Sequence, residues 1–470
     1  MMSLQEAARA VSGRASADTR FDSVSTDSRT LREGALFVAL RGEHFDGHDY
    51  VLAAVQAGAV AALVDTRWAD GAPDGAPPLL VVADTREALG QLAADWRDRF
   101  SIPVVGVTGS NGKTTVKEMC AAIFRAQAAM DGSGDEAVLA TRGNLNNDIG
   151  VPVTLLGLRS THRAAVIEMG MNHPGEIALL TRWTRPTVAI VTNAQRAHLQ
   201  GMGSIAQIAQ EKGAIYEGLG EGGVAVVNAD DPHADYWRGL NAGRTLFTFG
   251  MRQAADVAGT CTMHGFGSEL RLRTPRGEIC VSMQIPGEHN ARNAVGAAAA
   301  CLAAGVSLEA VGRGLSGYQG TRGRLQCRPG LRGATVVDDS YNANPDSVRA
   351  AIDVLAATPG HKYLVLGDMG EIGRTSAQVH DEIGGYAKSK GVDALFGLGE
   401  MSAVAVRNFG DGGQHFKSVQ GLVDAVVQRL EPDAVVLVKG SRFMRMERVV
   451  EALSAVHNGD PSDQGDSNAA

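Results

Sequence analysis

The chain has 470 residues, 44% of them hydrophobic and 20% charged, with a formal net charge of −8. That length exceeds what a single apolar core supports and predicts about three domains. The acidic balance excludes a general nucleic-acid surface, which needs a basic face, but allows small anions held by local Lys and Arg.

Five cysteines are scattered without metal-ligand or CxxC spacing, which predicts reduced core residues. The N-terminus lacks a basic stretch followed by an apolar core, and no apolar run approaches membrane-spanning length. A soluble, cytoplasmic protein with no membrane insertion is expected, monomeric by default.

Residues 1–100 alternate short elements: a helix over Leu4–Val11, strands at Leu36–Leu40, Ala61–Asp65 and Leu79–Val82, and a helix over Val51–Ala57. The Gly/Pro-rich stretch 70–78 predicts a surface loop. Two polar clusters, 25–29 with Ser28 and Arg29, and 41–48 with Asp46, Gly47 and His48, suit either a sugar-diphosphate or plain Asx-capped turns.

Ile102–Val107 is a β-branched apolar run, and from Val116 the apolar positions fall at helical spacing. Between them lies Thr108-Gly109-Ser110-Asn111-Gly112-Lys113-Thr114-Thr115. Strand, glycine loop, Lys-Thr and helix make a phosphate cradle, in which loop N–H groups face the anion, Lys113 reaches the β/γ-phosphates and Thr114 can ligate Mg²⁺. Val107 stands where the strict P-loop places its first glycine, so the loop is a variant.

Residues 130–137 predict a loop insertion. The amide-rich Gly143–Gly150, with Asn144 and Asn147, suits a nucleotide or sugar or a set of turns. The strand Ala164–Ile167 delivers Glu168 at its C-terminal end, an arrangement that holds Mg²⁺ or its water. Val188–Thr192 repeats the pattern, leading to Asn193 and His198.

Ser204 and Gln207 predict a capping box, followed by a helix whose Ile205, Ile208, Lys212 and Ile215 share one face. Lys212 therefore either snorkels to water or lies buried with a depressed pKa. Strands follow at Val224–Asn228, Thr245–Phe249, Glu269–Thr274 and Glu278–Met283, then His289-Asn290-Ala291-Arg292-Asn293 opens an Ala-rich helix to Ala304. Arg322-Gly323-Arg324 closes this region.

From about 327 a third α/β unit is predicted, with strands at Thr335–Asp338, Tyr363–Leu366, Ala394–Leu398 and Ala434–Val438 and a helix over Ser347–Ala356. Asp338-Asp339-Ser340-Tyr341-Asn342 falls at a strand's C-terminal end, where open parallel sheets bind ligands. Lys439 and Arg442 face either an anionic substrate or solvent. The polar end of the chain predicts a disordered tail.

The order of these motifs resembles the Mur ligase family, ATP-dependent amide-forming enzymes of peptidoglycan synthesis. TGSNGKTT at 108–115, Glu168, AHL with His198, Lys212, HNARN at 289–293 and Arg324 carry the likeness, and DDSYNANPDS at 338–347, VLGDMGEIG at 365–373 and VKGSR at 438–442 extend it. The resemblance implies an α/β fold of three domains: a UDP-sugar-binding N-terminal domain (1–100), a central P-loop-type ATP-binding domain (101–325) and a Rossmann-like C-terminal domain (326–456), with a tail at 457–470.

It also implies roles. Lys113 and the loop residues Thr108 to Thr114 would hold ATP phosphates, and Asn293, Arg324, Asp339, Tyr341 and Asn342 the rest of the nucleotide. Thr114, Glu168, His198 and a carbamoylated Lys212 would hold Mg²⁺, and Ser28, Arg29, Asp46, Gly47, His48, Asn144 and Asn147 the UDP-linked substrate. The implied reaction activates a UDP-linked muramoyl tripeptide as an acyl phosphate and joins it to D-alanyl-D-alanine. Another amide ligase, such as a different Mur ligase or a folylpolyglutamate synthetase, and a P-loop switch are the alternatives.

Overall fold

A computed structural model describes residues 1–196 and 203–455; His198 and the tail expected at 457–470 lie outside the described residues. The architecture is three α/β units, each built on its own mainly parallel sheet.

In the N-terminal unit, strands Ser23–Ser25, Ala35–Val38, Ala61–Asp65 and Leu79–Val82 run parallel, with Arg14–Ala15 antiparallel at the edge. The central sheet has nine strands. Seven run parallel in the spatial order 138–140, 164–168, 104–108, 188–191, 224–228, 245–250 and 257–264, and a hairpin, 267–274 and 277–283, extends the sheet. The six-stranded C-terminal sheet is parallel except for its edge strand Gln326–Pro329.

Strand Val257–His264 was not expected from sequence, because its residues are largely exposed and carry no apolar alternation. The expected insertion at 130–137 is ordered: helix Lys113–Met130 reaches its start, and a 3₁₀ turn at Asp135–Ala137 feeds strand Val138–Ala140. Two cysteines depart from the core expectation, since Cys280 and Cys327 are exposed, whereas Cys120 and Cys301 are buried. In the helix Ile205–Gly213, Ile208 and Lys212 are buried but Ile205 is 37% exposed, because the first turn projects beyond the packed stripe.

The apolar side chains divide the molecule unequally. One core runs from Met2, Leu36 and Leu89 of the N-terminal unit through Leu155 and Leu180 to Trp237 of the central unit. Polar contacts reinforce that seam: the Trp96 indole donates to Leu158 O at 3.1 Å, and the buried Arg97 guanidinium donates to Thr184 O at 3.1 Å. The C-terminal unit keeps its own two cores, one on each face of its sheet, with alternate strand residues Leu364 and Val365 contributing to opposite sides. Removing this apolar area from water is what holds each layer together.

Candidate active site

Strand Val104–Thr108 lies between Ala164–Glu168 and Val188–Val191, so its C-terminal end is flanked by Glu168 on one side and Thr192-Asn193 on the other. This is the crevice in which open parallel sheets hold ligands. The loop leaving it is tightly specified. Gly109 has φ +149°, and a Cβ there would fall 1.8 Å from Thr192 Oγ1; Gly112 has φ +81°, and a Cβ there would fall 2.3 Å from Asn293 Oδ1. Only glycine leaves this close approach of backbone and side chain intact.

Thr108 Oγ1 donates to Met169 O at 2.8 Å, and Ser110 N–H donates to Asn193 O at 2.9 Å. Asn111 N–H donates to Asn193 Oδ1 at 3.0 Å, while its side chain donates to Gln195 Oε1 at 2.7 Å. Lys113 Nζ donates to Gly109 O at 2.9 Å and Ser110 O at 3.3 Å, folding back into the anion's place; burial lowers its pKa. Thr114 is buried in the first turn of the helix that opens at Lys113, where backbone N–H groups and the helix dipole favour phosphate.

Glu168 is 1% exposed. Its Oε1 accepts from Asn146 Nδ2 at 2.8 Å, and its Oε2 is buried without a hydrogen-bond partner among the described residues. An unpartnered buried carboxylate oxygen beside a phosphate cradle is chemically suited to a hard cation, which prefers oxygen donors. Lys212 does not snorkel: it is 1% exposed, and burial drives its pKa well below the ordinary lysine value, with the Lys113 ammonium pushing the same way. Its helix is anchored by Glu211, whose carboxylate accepts from Gly175 N–H at 2.9 Å and Ile177 N–H at 3.1 Å.

The C-terminal unit faces the cradle across a cleft of about 1120 Å³. Arg324 stacks 4.5 Å above the Tyr341 ring, and Arg442 lies 5.8 Å from the same ring while pairing with Glu447 at 3.0 Å. Asp339 is held by Lys439 at 2.5 Å, and Lys439 also donates to Asn342 O at 2.9 Å; Lys439 is thus a buried partner and not a solvent-facing lysine. Burial pushes His289 down to about 4, helped by nearby Lys439 and Arg292, so the ring is neutral at pH 7.

Ser110, Asn111, Gly112, Lys113, Thr114, Asn144, Asn147, Glu168, Asn293, Arg324, Asp339, Tyr341 and Asn342 all line this one cleft. Ser28, Arg29, Asp46, Gly47 and His48 are not among its lining residues. In that N-terminal cluster His48 is buried with both ring nitrogens engaged, Nδ1 with Asp46 Oδ1 at 2.6 Å and Nε2 accepting from Asp65 N–H at 3.1 Å. Arg29 is exposed and forks onto Asp27 at 2.7 Å.

The structure adds residues that sequence reasoning did not single out. Gln195 and Arg196 follow Asn193 into the cleft, and Asn146 holds Glu168. Arg196 Nη2 reaches Asp346 Oδ1 at 2.6 Å, and Asn344 Nδ2 donates to Asn111 Oδ1 at 2.7 Å, bridging the central and C-terminal units. A polar run after a strand that ends near the cradle is the one sequence signal that pointed there.

The phosphate cradle, the strand-end acid and the facing C-terminal sheet define an ATP-dependent ligase architecture, and the chain belongs to the Mur ligase family. Its residues 20–97 match the profile for the Mur ligase family catalytic domain, 107–301 the Mur ligase middle domain, and 323–442 the Mur ligase glutamate ligase domain. It is similar to the UDP-N-acetylmuramoyl-tripeptide--D-alanyl-D-alanine ligase of Escherichia coli (strain K12), 42% identical over 93% of this chain and 94% of that one. The ligase of the same name from Bacillus subtilis (strain 168) is 34% identical over 92% of each.

Among solved structures, MurF from Acinetobacter baumannii superposes with a TM-score of 0.86 at 35% identity, covering 96% of this chain and 98% of that one. MurF ligase from Thermotoga maritima in complex with ADP superposes with a TM-score of 0.79 at 26% identity, covering 92% and 97%.

Proposed function

We propose that this protein joins D-alanyl-D-alanine to UDP-N-acetylmuramoyl-tripeptide, cleaving ATP to ADP and phosphate, and so makes the pentapeptide precursor of peptidoglycan. The observation that carries the reading is the cleft in which Lys113 and the loop of 110–112 face Arg324 and Tyr341 of the C-terminal unit. Near full-length similarity to ligases of that name supports the choice of substrates.

A carboxylate and an ammonium do not condense unaided in water. In the proposed sequence the tripeptide's terminal carboxylate attacks the γ-phosphorus and ADP leaves, forming an acyl phosphate. The dipeptide's amine then attacks the acyl carbon, and phosphate departs from the tetrahedral intermediate. Lys113, moving off the carbonyls of Gly109 and Ser110, follows the charge of the transferring phosphoryl group, and the N–H groups of the loop and first helical turn hold its oxygens. Asn293 contacts the base, and Asp339 the ribose, with Arg324 and Tyr341 closing over the nucleotide.

Thr114, Glu168, His198 and Lys212 would hold Mg²⁺, which offsets phosphate charge when bound. The depressed pKa of Lys212 leaves a share of its amine neutral and nucleophilic, the form that adds CO₂ to become an anionic carbamate. Ser28, Arg29, Asp46, Gly47, His48, Asn144 and Asn147 serve the UDP-linked substrate. Among the described residues no helix is long and apolar enough to cross a membrane, and we place the enzyme in the cytoplasm as a monomer.

The test is phosphate release from ATP with UDP-N-acetylmuramoyl-tripeptide, with and without D-alanyl-D-alanine, followed by mass spectrometry. Release that requires both substrates, with a pentapeptide product, is expected. Turnover with neither dependence would overturn the assignment.

A further inference from the structure

Among the described residues, three cations of the C-terminal unit line the cleft: Arg324, Lys439 and Arg442. Arg324 stacks on Tyr341, which the proposed function places over the nucleotide, and Lys439 is buried against Asp339. Arg442 is left without a role. Its side chain is 62% exposed and Nη1 donates to Glu447 Oε1 at 3.0 Å, while Nε and Nη2 make no hydrogen bond among the described residues. The Glu447 contact thus steadies the planar fork through one nitrogen and leaves its other edge for a second carboxylate.

The backbone sets where this fork stands. Arg442 opens the turn Arg442–Met444 beyond strand Val435–Lys439, at the end of the sheet where open parallel sheets bind ligands. Ser441 before it is buried: its N–H donates to Asp368 O at 3.0 Å, and its Oγ accepts from Gly370 N–H at 2.7 Å and donates to Ala343 O at 3.1 Å. The Arg442 guanidinium lies 5.8 Å from the ring of Tyr341, against which Arg324 lies at 4.5 Å. Phe443 follows, lines the same cleft and is 64% exposed. It packs on Gly370, where a Cβ would fall 2.9 Å from Phe443 Cε1. An exposed phenyl ring beside an exposed guanidinium offers an apolar wall and an anion receptor side by side.

The dipeptide of the proposed reaction has a matching end. Away from its reacting nitrogen it carries a carboxylate, and each residue carries a methyl group. A planar guanidinium pairs with a carboxylate through two parallel hydrogen bonds, which fix orientation as well as position. We propose that Arg442 receives the C-terminal carboxylate of D-alanyl-D-alanine and that Phe443 covers its methyl groups, leaving the amine at the opposite end for the acyl carbon. Both are binding and specificity residues, and no bond is made or broken at them. The inference rests on the function proposed above, which supplies the dipeptide.

The experiment uses the full chain and compares D-alanyl-D-alanine with its C-terminal amide, which keeps the amine and both methyl groups but lacks the carboxylate. Wild type should show a KM for the amide about tenfold or more above that for the dipeptide. Arg442→Gln should bring the two KM values within about twofold of each other by raising that of the dipeptide, and Arg442→Lys, which keeps charge without the fork, should recover part of the difference. Phe443→Ala should raise both KM values by about the same factor and preserve their ratio. The KM for ATP should change by less than about twofold in all three variants. Equal KM values in wild type, a preference for the acid that survives in Arg442→Gln, or a KM for ATP that rises as much as that for the dipeptide would overturn the role of Arg442. Unchanged KM values in Phe443→Ala would overturn that of Phe443. A wild-type enzyme that makes no pentapeptide would instead overturn the proposed function.

Discussion

Replacing Asp346 by Asn should loosen the closed arrangement of the cleft. Asp346 sits in the first turn of helix Pro345–Ala356, where its charge also suits the helix dipole. It accepts from Arg196 through Nη2 to Oδ1 at 2.6 Å, through Nε shared between Oδ1 at 3.1 Å and Oδ2 at 3.4 Å, and through the backbone N–H to Oδ2 at 3.0 Å. The Arg196 side chain is 38% exposed and that of Asp346 23%. A fully exposed pair contributes about 0.2–1 kcal/mol, and a hydrogen bond to a charged group about 1.5–3 kcal/mol when shielded. This partly shielded fork falls between them, at about 1–2 kcal/mol, so its loss should reduce the closed-to-open ratio about 5- to 30-fold.

The assay is fluorescence energy transfer between one dye on the central unit and one on the C-terminal unit, titrated with a non-hydrolysable ATP analogue. Asp346→Asn should need more analogue to reach the same transfer, and added salt should erase part of the difference. In an Arg196→Gln background the Asp346→Asn change should add little, since the guanidinium is already gone and only the backbone N–H at 196 still donates to position 346. Equal effects in both backgrounds would refute the fork as the source of closure energy.

Gly112→Ala forces an alanine into a left-handed backbone with its Cβ on the Asn293 carboxamide, 2.3 Å from Oδ1 in the present arrangement. The KM for ATP should rise about tenfold or more, read by phosphate release. Incubation with ¹³C-bicarbonate should give a carbamate carbon signal in wild type that is absent from Lys212→Arg, whose turnover should fall about 10- to 100-fold. Burial holds the His289 pKa at about 4, below an unfolded value near 6.5, so the unfolded chain binds more protons between these values and stability falls as pH drops through that window. At full strength the shift corresponds to about 3 kcal/mol, reduced to about 1–2 kcal/mol because the ring is partly exposed. Urea denaturation of His289→Gln should show a smaller difference between pH 7 and pH 4.5 than wild type.

What the sequence made legible was local. Strand 104–108, the glycine loop and the helix from Lys113 follow one another in the chain, so residue type and periodicity sufficed to locate the cradle. The buried alternative for Lys212 was visible because an isolated charge interrupted an apolar stripe. The fork between Arg196 and Asp346 spans 150 positions, and nothing in either neighbourhood names the other. The loop after strand Lys362–Gly367 gave no signal of what holds it, because His380 and Ser441, which accept from Met369 N–H and Gly370 N–H, come from other elements. Strand Val257–His264 was missed because alternation marks a strand only where one face is buried.

The unequal division of the cores determines which part of the molecule can move. The N-terminal and central units share one core, so separating them would expose apolar surface continuously from Met2 to Trp237. Tyr318 belongs to a central core and Leu325 to a C-terminal one, which leaves residues 319–324 as the covalent connection between the two units, with Phe266 of the central hairpin packed against the C-terminal core. Gly320 and Gly323 in it have φ of +91° and +74°, values that absorb a change of direction without a side chain to obstruct it. At its far end Gly323 N–H donates to Asp338 Oδ2 at 3.1 Å and accepts Tyr341 N–H on its carbonyl at 3.2 Å, so Arg324 travels with the C-terminal sheet. A rotation about this connection would therefore move Arg324, Tyr341 and Lys439 together relative to the cradle of Gly109–Thr114. The contacts that join the C-terminal unit to the cradle, Arg196 with Asp346 and Asn111 with Asn344, lie on the phosphate loop and the strand end beside it. Whatever orders that loop would thereby also set how firmly Arg324 and Tyr341 are held across the cleft from Lys113.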